Sequence, residues 1–467
     1  MTIDNTTNYT KEGQKYETLL DAGSIYDIVR DMNWRKVVQL ALVHVGVSIT
    51  VVPVTSTLNR IMIADMGLSA FLVGLLISLP YLLSPLQVAI GNWADHHAIW
   101  GHHRSPWIVI GGLMAAFGSY MTAHTVHMIP ENFTVGFLLS VLVFAIWGMG
   151  VNIASVSYLS LLNELSADHP AWRSRAISFM WTAMILSTIG ISQLLSNMLV
   201  DYSVDMLYSA FGVVWLVATL FILMGAAGLE TVSSNDIKSE RQNSATHPLA
   251  AFRLVVANQA ARRFFIYLLL VLVSIHAQDV LLEPFGAEAL DMSVSMTSRL
   301  TSIWGAGFFI TLVGGLSIMS RLGRKRSANI GAAVAALGFA LIIAGGLLGM
   351  ATFFMLAVLI LGLGGGLMTV SNLSFMLDMT VPQAAGLYIG AWGVANFAGQ
   401  GLGNIISGLL RDSIYQLTGS SIAGYVTVFG LEIIGLLVAI LLFRSISVEA
   451  FREEAVVKLD EILVIGS

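Results

Sequence analysis

The sequence predicts an all-α polytopic membrane protein whose 12 transmembrane helices form two halves of six. Three observations support this prediction: an apolar composition, a division of the apolar runs by one polar segment, and a one-sided distribution of basic residues. Of 467 residues, 56% are hydrophobic and only 11% are charged, and the mean hydropathy is +0.80. Because soluble domains carry about 25% charged residues, most of this chain is expected to lie in lipid.

A bilayer is crossed by an apolar run of about 20 residues. The sequence contains twelve such runs, which we number spans 1 to 12: 37–57, 68–90, 106–128, 133–162, 176–198, 206–228, 264–285, 297–319, 327–348, 351–376, 386–410 and 422–444. The predicted organisation is a cytoplasmic tail with an interfacial helix at 1–35, an N-terminal half at 36–228, a cytoplasmic linker at 229–262, a C-terminal half at 263–445 and a cytoplasmic tail at 446–467.

Basic residues indicate the orientation of these spans. If both termini are cytoplasmic, 20 of the 23 Lys and Arg residues fall on the cytoplasmic side, and only Arg60, Arg299 and Arg411 fall on the other. Loops rich in Lys and Arg remain in the cytoplasm. The bias therefore predicts cytoplasmic termini and an even number of spans.

Several functional classes are excluded by composition. The chain has no cysteine, which excludes disulfides, thiol catalysis, iron–sulfur clusters and cysteine-type zinc sites. Its basic residues are dispersed among loops, so we expect no nucleic-acid partner. Targeting is expected to come from span 1, since no signal peptide precedes it.

The loop between spans 2 and 3 carries a glycine, an acid and a base at Gly91, Asp95 and Arg104. This pattern and the two six-helix halves resemble the major facilitator superfamily. A second copy after span 8 has Arg321, Gly323 and Arg324, but Ser320 stands where an acid is usual. The resemblance implies a cytoplasmic gate that also includes Glu164, Arg173, Arg175 and, after span 10, Asp378; plain surface ion pairs are the alternative.

Local strings resemble one branch of that superfamily, the PucC-like bacteriochlorophyll-delivery family of phototrophic bacteria. The most specific is L-L-E-P-F-G within 279–286; the others lie at 58–63, 158–162, 173–176, 180–182, 300–305, 376–380, 386–393 and 411–412. The resemblance implies a multi-pass protein of the plasma (inner or photosynthetic) membrane. It also implies a role in assembling light-harvesting complexes, with a tetrapyrrole pigment and light-harvesting polypeptides as partners. (Bacterio)chlorophyll would then be a transient cargo, with no built-in cofactor.

Span 7 carries three costly polar side chains, His276, Asp279 and Glu283. On a helix they fall within about 60° of one another. Ionisable groups at membrane depth usually face a bundle interior and mark function. His276 is a possible ligand for the magnesium of a chlorophyll, and the three groups together could relay protons. The structural alternative is a hydrogen-bonded cluster in which Glu283 stabilises a helix break at Pro284.

Other polar residues within spans are further candidates for a cavity: His44, Gln87, Asn152 and Gln400. Hydrogen bonding between helices is the alternative for each of them. Four loop histidines, at 96, 97, 102 and 103, have side chains that suit metals. We nevertheless predict no metal site, since their loop carries the gating pattern.

Three functions remain open at this point. The first is an antenna assembly factor that binds or delivers (bacterio)chlorophyll. The second is a proton-coupled transporter of a small molecule, with Asp279 or Glu283 carrying the proton. The third is a pigment-free scaffold for antenna polypeptides. No Asp-rich diphosphate-binding motif stands at a helix end, so we predict that the chain is not an enzyme.

Overall fold

The structure, a computed structural model, describes residues 33–97, 99, 101–166, 170–230, 255, 258–381 and 385–454. The predicted interfacial helix, most of the predicted linker at 229–262 and the end of the predicted C-terminal tail lie outside the described residues. The regular secondary structure of the described part is helical, apart from a short bridge between Ile99 and His102. The all-α prediction is confirmed.

Eleven helices of the described part are long and apolar enough to cross a membrane. Their bounds are Trp34–Asp65, Ala70–Gln87, Ser105–His127, Phe133–Leu165, Trp172–Met198, Val204–Ala226, Gln259–Leu290, Val294–Leu322, Arg324–Leu347, Ala351–Asp378 and Ser421–Arg444. Span 11 is the helix Ala385–Thr418, of 34 residues. It is not among the eleven because Asn396, Gln400 and Asn404 lower its hydropathy. The twelve predicted spans thus each have a long helix.

Span 1 continues well beyond its predicted end at residue 57. After the α-helix Trp34–Ser48, two π-helical stretches, Pro53–Leu58 and Ile61–Asp65, extend it. The polar residues Asn59 and Arg60 lie within this extension and are only 0% and 8% exposed. Such π-helical turns are frequent at functional sites.

Span 7 has no break at Pro284, so the break suggested there is wrong. Its helical segments Gln259–His276 and Gln278–Leu290 join at Ala277, whose backbone is helical (φ −60°, ψ −28°) and whose N–H bonds to the Val273 oxygen at 3.2 Å, and Pro284 lies inside the second segment. Proline has no N–H to offer the carbonyl four residues earlier, here that of Val280. Asn59 supplies the missing donor, with its Nδ2 2.9 Å from the Val280 oxygen and 3.2 Å from the Asp279 oxygen. The helix can therefore continue through the proline.

The two halves meet along two pairs of helices, span 2 with span 11 and span 5 with span 8. Small residues bring the first pair close together. A Cβ on Gly74 would lie 2.5 Å from the Asn404 oxygen, and one on Gly408 would lie 2.3 Å from the Ala70 oxygen. Because these contacts are with backbone atoms, no side chain larger than hydrogen fits at either position.

Hydrogen bonds between the halves concentrate at one end of the bundle, which we call the sealed end. There, Asp412 on span 11 accepts from the Ser69 hydroxyl (2.6 Å) at the start of span 2, and Thr57 on span 1 pairs with Ser298 on span 8 (2.9 Å). The opposite end, which we call the basic end, carries Arg104, Arg324 and Arg444. A central cavity lies between the halves.

Candidate functional site

The central cavity has a volume of about 280 Å³ and is lined by both halves. Spans 1, 2 and 5 contribute one wall, which includes Ser48, Thr55, Tyr81 and Thr188. Spans 7 and 8 contribute the other, which includes His276, Gln278, Asp279, Glu283, Thr301 and Trp304. The span 7 cluster from the sequence thus lies together in this cavity.

His276 and Asp279 form a pair on the cavity wall. The Nδ1 atom of His276 lies 2.9 Å from Oδ2 of Asp279, and the two side chains are 27% and 30% exposed. A carboxylate on one ring nitrogen fixes the orientation of the imidazole and leaves the other nitrogen available to a ligand. His276 is therefore held in a geometry suited to binding a metal centre or an acidic group.

Glu283 lies deeper in the same wall. It is only 5% exposed, and its Oε1 accepts a hydrogen bond from the Thr301 hydroxyl of span 8 at 3.0 Å. This bond joins two helices of the C-terminal half next to Pro284. Glu283 thus lines the cavity and also joins spans 7 and 8.

An aromatic pair on span 8 adds an apolar surface beside these groups. The rings of Trp304 and Phe308 lie 4.9 Å apart with an angle of 31° between their planes. Trp304 itself lines the cavity. Flat aromatic side chains of this kind pack well against planar ligands.

His44 lies outside the residues that line the cavity. It is 7% exposed, and its ring packs against Tyr158 (5.2 Å between centroids) and Trp181 (6.2 Å). Its Nδ1 is buried without a hydrogen-bond partner. The structure thus places His44 in an aromatic cluster among spans 1, 4 and 5.

Three further residues that the sequence suggested for the cavity, Asn152, Gln87 and Gln400, lie elsewhere. Asn152 is 5% exposed, and its Nδ2 donates to the Pro80 carbonyl at 2.8 Å, which links span 4 to span 2. Gln87 and Gln400 are half-buried and do not belong to the cavity lining. Asn152 therefore has a contact between helices, and the structure brings none of the three into the cavity.

At the basic end, the two halves carry matching ion pairs. Arg104, before span 3, donates from Nε to Glu164 at the end of span 4 at 3.0 Å. Arg324, at the start of span 9, pairs with Asp378 at the end of span 10. Since spans 3 and 4 correspond to spans 9 and 10 in the repeat, both copies of the motif make the same connection. The second copy does so although Ser320 replaces an acid.

The other members of the predicted gate lie around these pairs. Arg173 donates from Nε to the Ser166 hydroxyl at 3.1 Å, and Arg175 is half-buried on span 5. Arg321 is exposed, and Gly323 separates spans 8 and 9 with a φ of 80°. Gly91 leaves no room for a Cβ, which would lie 2.9 Å from Val156. The side chain of Asp95 lies outside the described residues.

Glu230, the second residue of the predicted linker at 229–262, was not expected to have a role. Its carboxylate accepts hydrogen bonds from the backbone amides of His103, Arg104 and Ser105 at distances between 2.7 and 3.2 Å. Acidic groups stabilise the positive end of a helix dipole. Glu230 thus anchors the beginning of the linker to the start of span 3.

Two other features could not be found from local sequence patterns. At the sealed end, Arg411 pairs with Glu288 (3.0 Å) and with Asp412 (3.0 Å). On span 12, Glu432 is 3% exposed, and neither carboxylate oxygen has a hydrogen-bond partner. In the part of the chain that the structure describes, no group of three or more His, Cys, Asp or Glu side chains is placed to hold a metal.

Comparison with known proteins identifies the family. The family model for "PUCC protein" matches residues 57–451. This chain belongs to the PUCC family. "Protein PucC" of Cereibacter sphaeroides is 30% identical over 420 residues, which cover 85% of this chain and 89% of that protein. The "Bacteriochlorophyll synthase 44.5 kDa chain" of Rhodobacter capsulatus is 26% identical over 424 residues, covering 89% and 96%.

Solved structures show the fold of this PUCC-family chain. It resembles the crystal structure of a nucleoside transporter with a TM-score of 0.70 and 16% identity, covering 88% of this chain and 99% of that one. It resembles a D-xylose–proton symporter with a TM-score of 0.64 and 17% identity, covering 89% and 98%. These likenesses confirm the major facilitator fold. The named PUCC relatives come from phototrophic purple bacteria, and the chain is a multi-pass membrane protein.

Proposed function

We propose that this protein is an antenna assembly factor. It binds a (bacterio)chlorophyll between its halves and guides the pigment to light-harvesting polypeptides in the photosynthetic membrane. Three relatives support this proposal by their names, since one is a bacteriochlorophyll synthase chain and two are PucC proteins. The pigment is a cargo, and the protein has no resident cofactor.

The observation that carries the proposal is the oriented imidazole of His276. The central magnesium of a chlorophyll accepts an axial ligand, and a neutral imidazole is a good metal ligand. With Nδ1 engaged by Asp279 at 2.9 Å, Nε2 is the nitrogen that would bind the magnesium. Trp304, beside it, offers an aromatic face to the flat ring.

The size of the cavity limits how the pigment would enter. Ligand pockets usually measure about 300–1,000 Å³, and this cavity measures about 280 Å³. It therefore holds one edge of a chlorin ring in the conformation described here. The halves would have to separate further at the basic end, where fewer contacts hold them, before the whole ring could reach His276.

Under this proposal the protein catalyses no reaction of its own. Prenyl transfer to a pigment would need a pair of Asp-rich motifs that hold a magnesium diphosphate, and no such motif stands at a helix end in the sequence. A role in delivery is compatible with the name of the Rhodobacter capsulatus relative, because a delivery protein can act together with a synthase.

Deletion of the gene tests the proposed assembly role. We expect the amount of assembled light-harvesting complex to fall while pigment synthesis continues. Reintroduction of the wild-type gene should restore assembly, whereas His276→Leu should not. The control is His127→Leu, because His127 bonds to the backbone of its own helix (Nδ1 to the Ala123 oxygen, 2.7 Å) far from the cavity. Normal antenna levels in the deletion strain would refute the role.

The small cavity also favours a second candidate function, the proton-coupled transport of a small molecule. A volume of about 280 Å³ suits a small solute, and Glu283 and Asp279 are carboxylates on its wall that can carry a proton. This function predicts uptake into proteoliposomes that is driven by a pH gradient and lost in Glu283→Gln. Retained uptake in that variant would exclude Glu283 as the coupling group.

A further inference from the structure

Spans 5 and 8 form one of the two seams along which the halves meet, and this 5/8 seam is closed toward the sealed end. There, Ser295 donates to the Ser196 carbonyl at 2.6 Å, and Ser302 donates to the Ile189 carbonyl at 3.0 Å. Further along span 8, a Cβ on Gly305 would lie 3.0 Å from Cγ1 of Ile189. These contacts identify the face that each helix turns toward the other.

On span 8, this face becomes exposed toward the basic end. At about 100° per residue, Val313 and Leu316 continue the stripe that includes Ser302. Ser302 is 7% exposed, and Gly305 is buried. Val313 and Leu316, by contrast, are 57% and 63% exposed. Span 5 therefore covers the first part of this stripe and leaves the second part open.

Span 5 shows the same change along the face that meets span 8. Ser196, Ser192 and Ile185 are 0%, 0% and 4% exposed. Ser178 and Ser174 follow on the same stripe and are exposed. The Ser178 hydroxyl donates to the Ser174 carbonyl at 3.0 Å, so its hydrogen bond is made within its own helix. The 5/8 seam is thus open toward the basic end, and its open faces need no polar partner.

The central cavity borders the 5/8 seam directly. Spans 5 and 8 supply four of its lining residues, Met184, Thr188, Thr301 and Trp304. Among the described residues that line the cavity, none comes from span 11, and span 2 supplies Tyr81. A Cβ on Gly401 of span 11 would lie 3.4 Å from the Tyr81 Cβ, so span 11 packs behind Tyr81. The seam between spans 2 and 11 is therefore separated from the cavity, whereas the 5/8 seam is not.

A (bacterio)chlorophyll bound through His276 would have one part for which the cavity has no room. Its propionate is esterified with a long alkyl alcohol, and a cavity of about 280 Å³ holds only an edge of the ring. An apolar chain avoids water, so an exit at the basic end is unfavourable for it. The open seam instead offers Val313 and Leu316, beside the lipid-facing Ile310, which is 58% exposed.

We propose that the open part of the 5/8 seam binds the alkyl chain of an esterified tetrapyrrole while the ring is held at His276. This inference rests on the proposed function and specifies its cargo as the long-chain ester. The protein therefore acts after the reaction that esterifies the pigment's propionate with a long-chain alcohol. Because the chain already lies in the seam, the pigment leaves sideways between spans 5 and 8, where a transmembrane polypeptide can receive it.

A bulky group placed in the seam tests this inference on the full-length protein in lipid nanodiscs. Because the chain has no cysteine, a large maleimide attaches only to the introduced cysteine of Val313→Cys. Two pigments with the same ring are titrated, a (bacterio)chlorophyll and its methyl ester analogue. We expect the attached group to weaken binding of the long-chain ester by about tenfold or more, the effect of an ordinary steric clash. Binding of the methyl ester should not change.

Two variants that carry the same maleimide are the matched controls. Ile310→Cys lies on the same helix at an equally exposed position (58%) outside the stripe, and both pigments should bind it normally. Val394→Cys, on span 11 and 55% exposed, places the group beside the other seam and should also leave binding unchanged.

Three results overturn the seam assignment alone. They are normal binding of both pigments by modified Val313→Cys, an equal loss of both pigments in that variant, and a selective loss of the long-chain ester in modified Val394→Cys. In each of these cases the unmodified protein still binds a chlorin, and the proposed function stands. If the unmodified protein binds neither pigment, the proposed function fails and the seam assignment fails with it.

Discussion

His276 illustrates how one neighbour defines the chemistry of a residue. An isolated imidazole could bind through either nitrogen, whereas Asp279 engages Nδ1 at 2.9 Å and leaves Nε2. The carboxylate is therefore a positioning group for the imidazole. The sequence placed both residues on one helix face, but only the structure shows that they are bonded.

Replacing Asp279 with Asn should weaken pigment binding without abolishing it. Loss of an outer carboxylate typically lowers the affinity of a metal site by about 10–100-fold. We expect an effect of that size when chlorophyll is titrated into the detergent-solubilised protein and its absorption is followed. Asp201→Asn, an exposed acid between spans 5 and 6, is the control. An unchanged affinity in Asp279→Asn would show that the pair does not orient the ligand.

Asn59 explains why a proline can lie inside a transmembrane helix. It bonds to the carbonyl that Pro284 leaves without a donor, 2.9 Å away at Val280. Replacing it with Leu should destabilise the protein by about 1–3 kcal/mol, the cost of an unsatisfied buried acceptor. Thermal unfolding in detergent measures this, with the exposed Asn197→Leu as the control. Equal stability of Asn59→Leu and wild type would contradict this role.

At the scale of elements, one acid at the sealed end joins the two halves. Asp412 on span 11 accepts from the Ser69 hydroxyl at 2.6 Å and from the Phe71 amide at 3.0 Å. Because carboxylates bind well at helix N-termini, it fixes the start of span 2. Arg411 connects the same acid to Glu288 on span 7. The network can therefore lock the two halves together.

Asp412→Asn should loosen this lock. Spin labels on cysteines introduced at positions 67 and 420 report the distance across the sealed end, and the chain has no native cysteine to interfere. We expect a longer mean distance and a broader distribution in the variant than in the labelled parent. Asp205→Asn, an acid in the first turn of span 6, serves as the control. Identical distance distributions would rule out a lock at Asp412.

At the scale of the molecule, the orientation in the membrane is still a prediction from basic residues. It can be tested with single cysteines on this cysteine-free chain. In intact cells, a membrane-impermeant maleimide should label Ser420→Cys, before span 12, and should not label Ser445→Cys, after it. Both should react in broken cells. Labelling of Ser445→Cys alone in intact cells would show that the orientation is the reverse of the predicted one.

The architecture could be predicted because apolar length and basic loops are local signals. The span 7 cluster could be predicted because three polar side chains recur on one helix face. The continuation of span 7 through Pro284 could not be predicted, because it depends on a donor from another span, Asn59. Nor could the bonds between Asn59 and Val280 or between Ser69 and Asp412, which join residues far apart in the chain. Glu432 is one acid within a long apolar run, and only packing reveals that it is buried without a partner.

The central claim is that the cavity binds a chlorin through His276. It is tested most directly by the absorption spectrum of the full-length protein purified from a host that makes (bacterio)chlorophyll. We expect a chlorin band in stoichiometric proportion to the protein, retained in His127→Leu and strongly reduced in His276→Leu. A wild-type protein that purifies without any chlorin band would contradict the claim and favour a pigment-free scaffold or a transporter of small solutes.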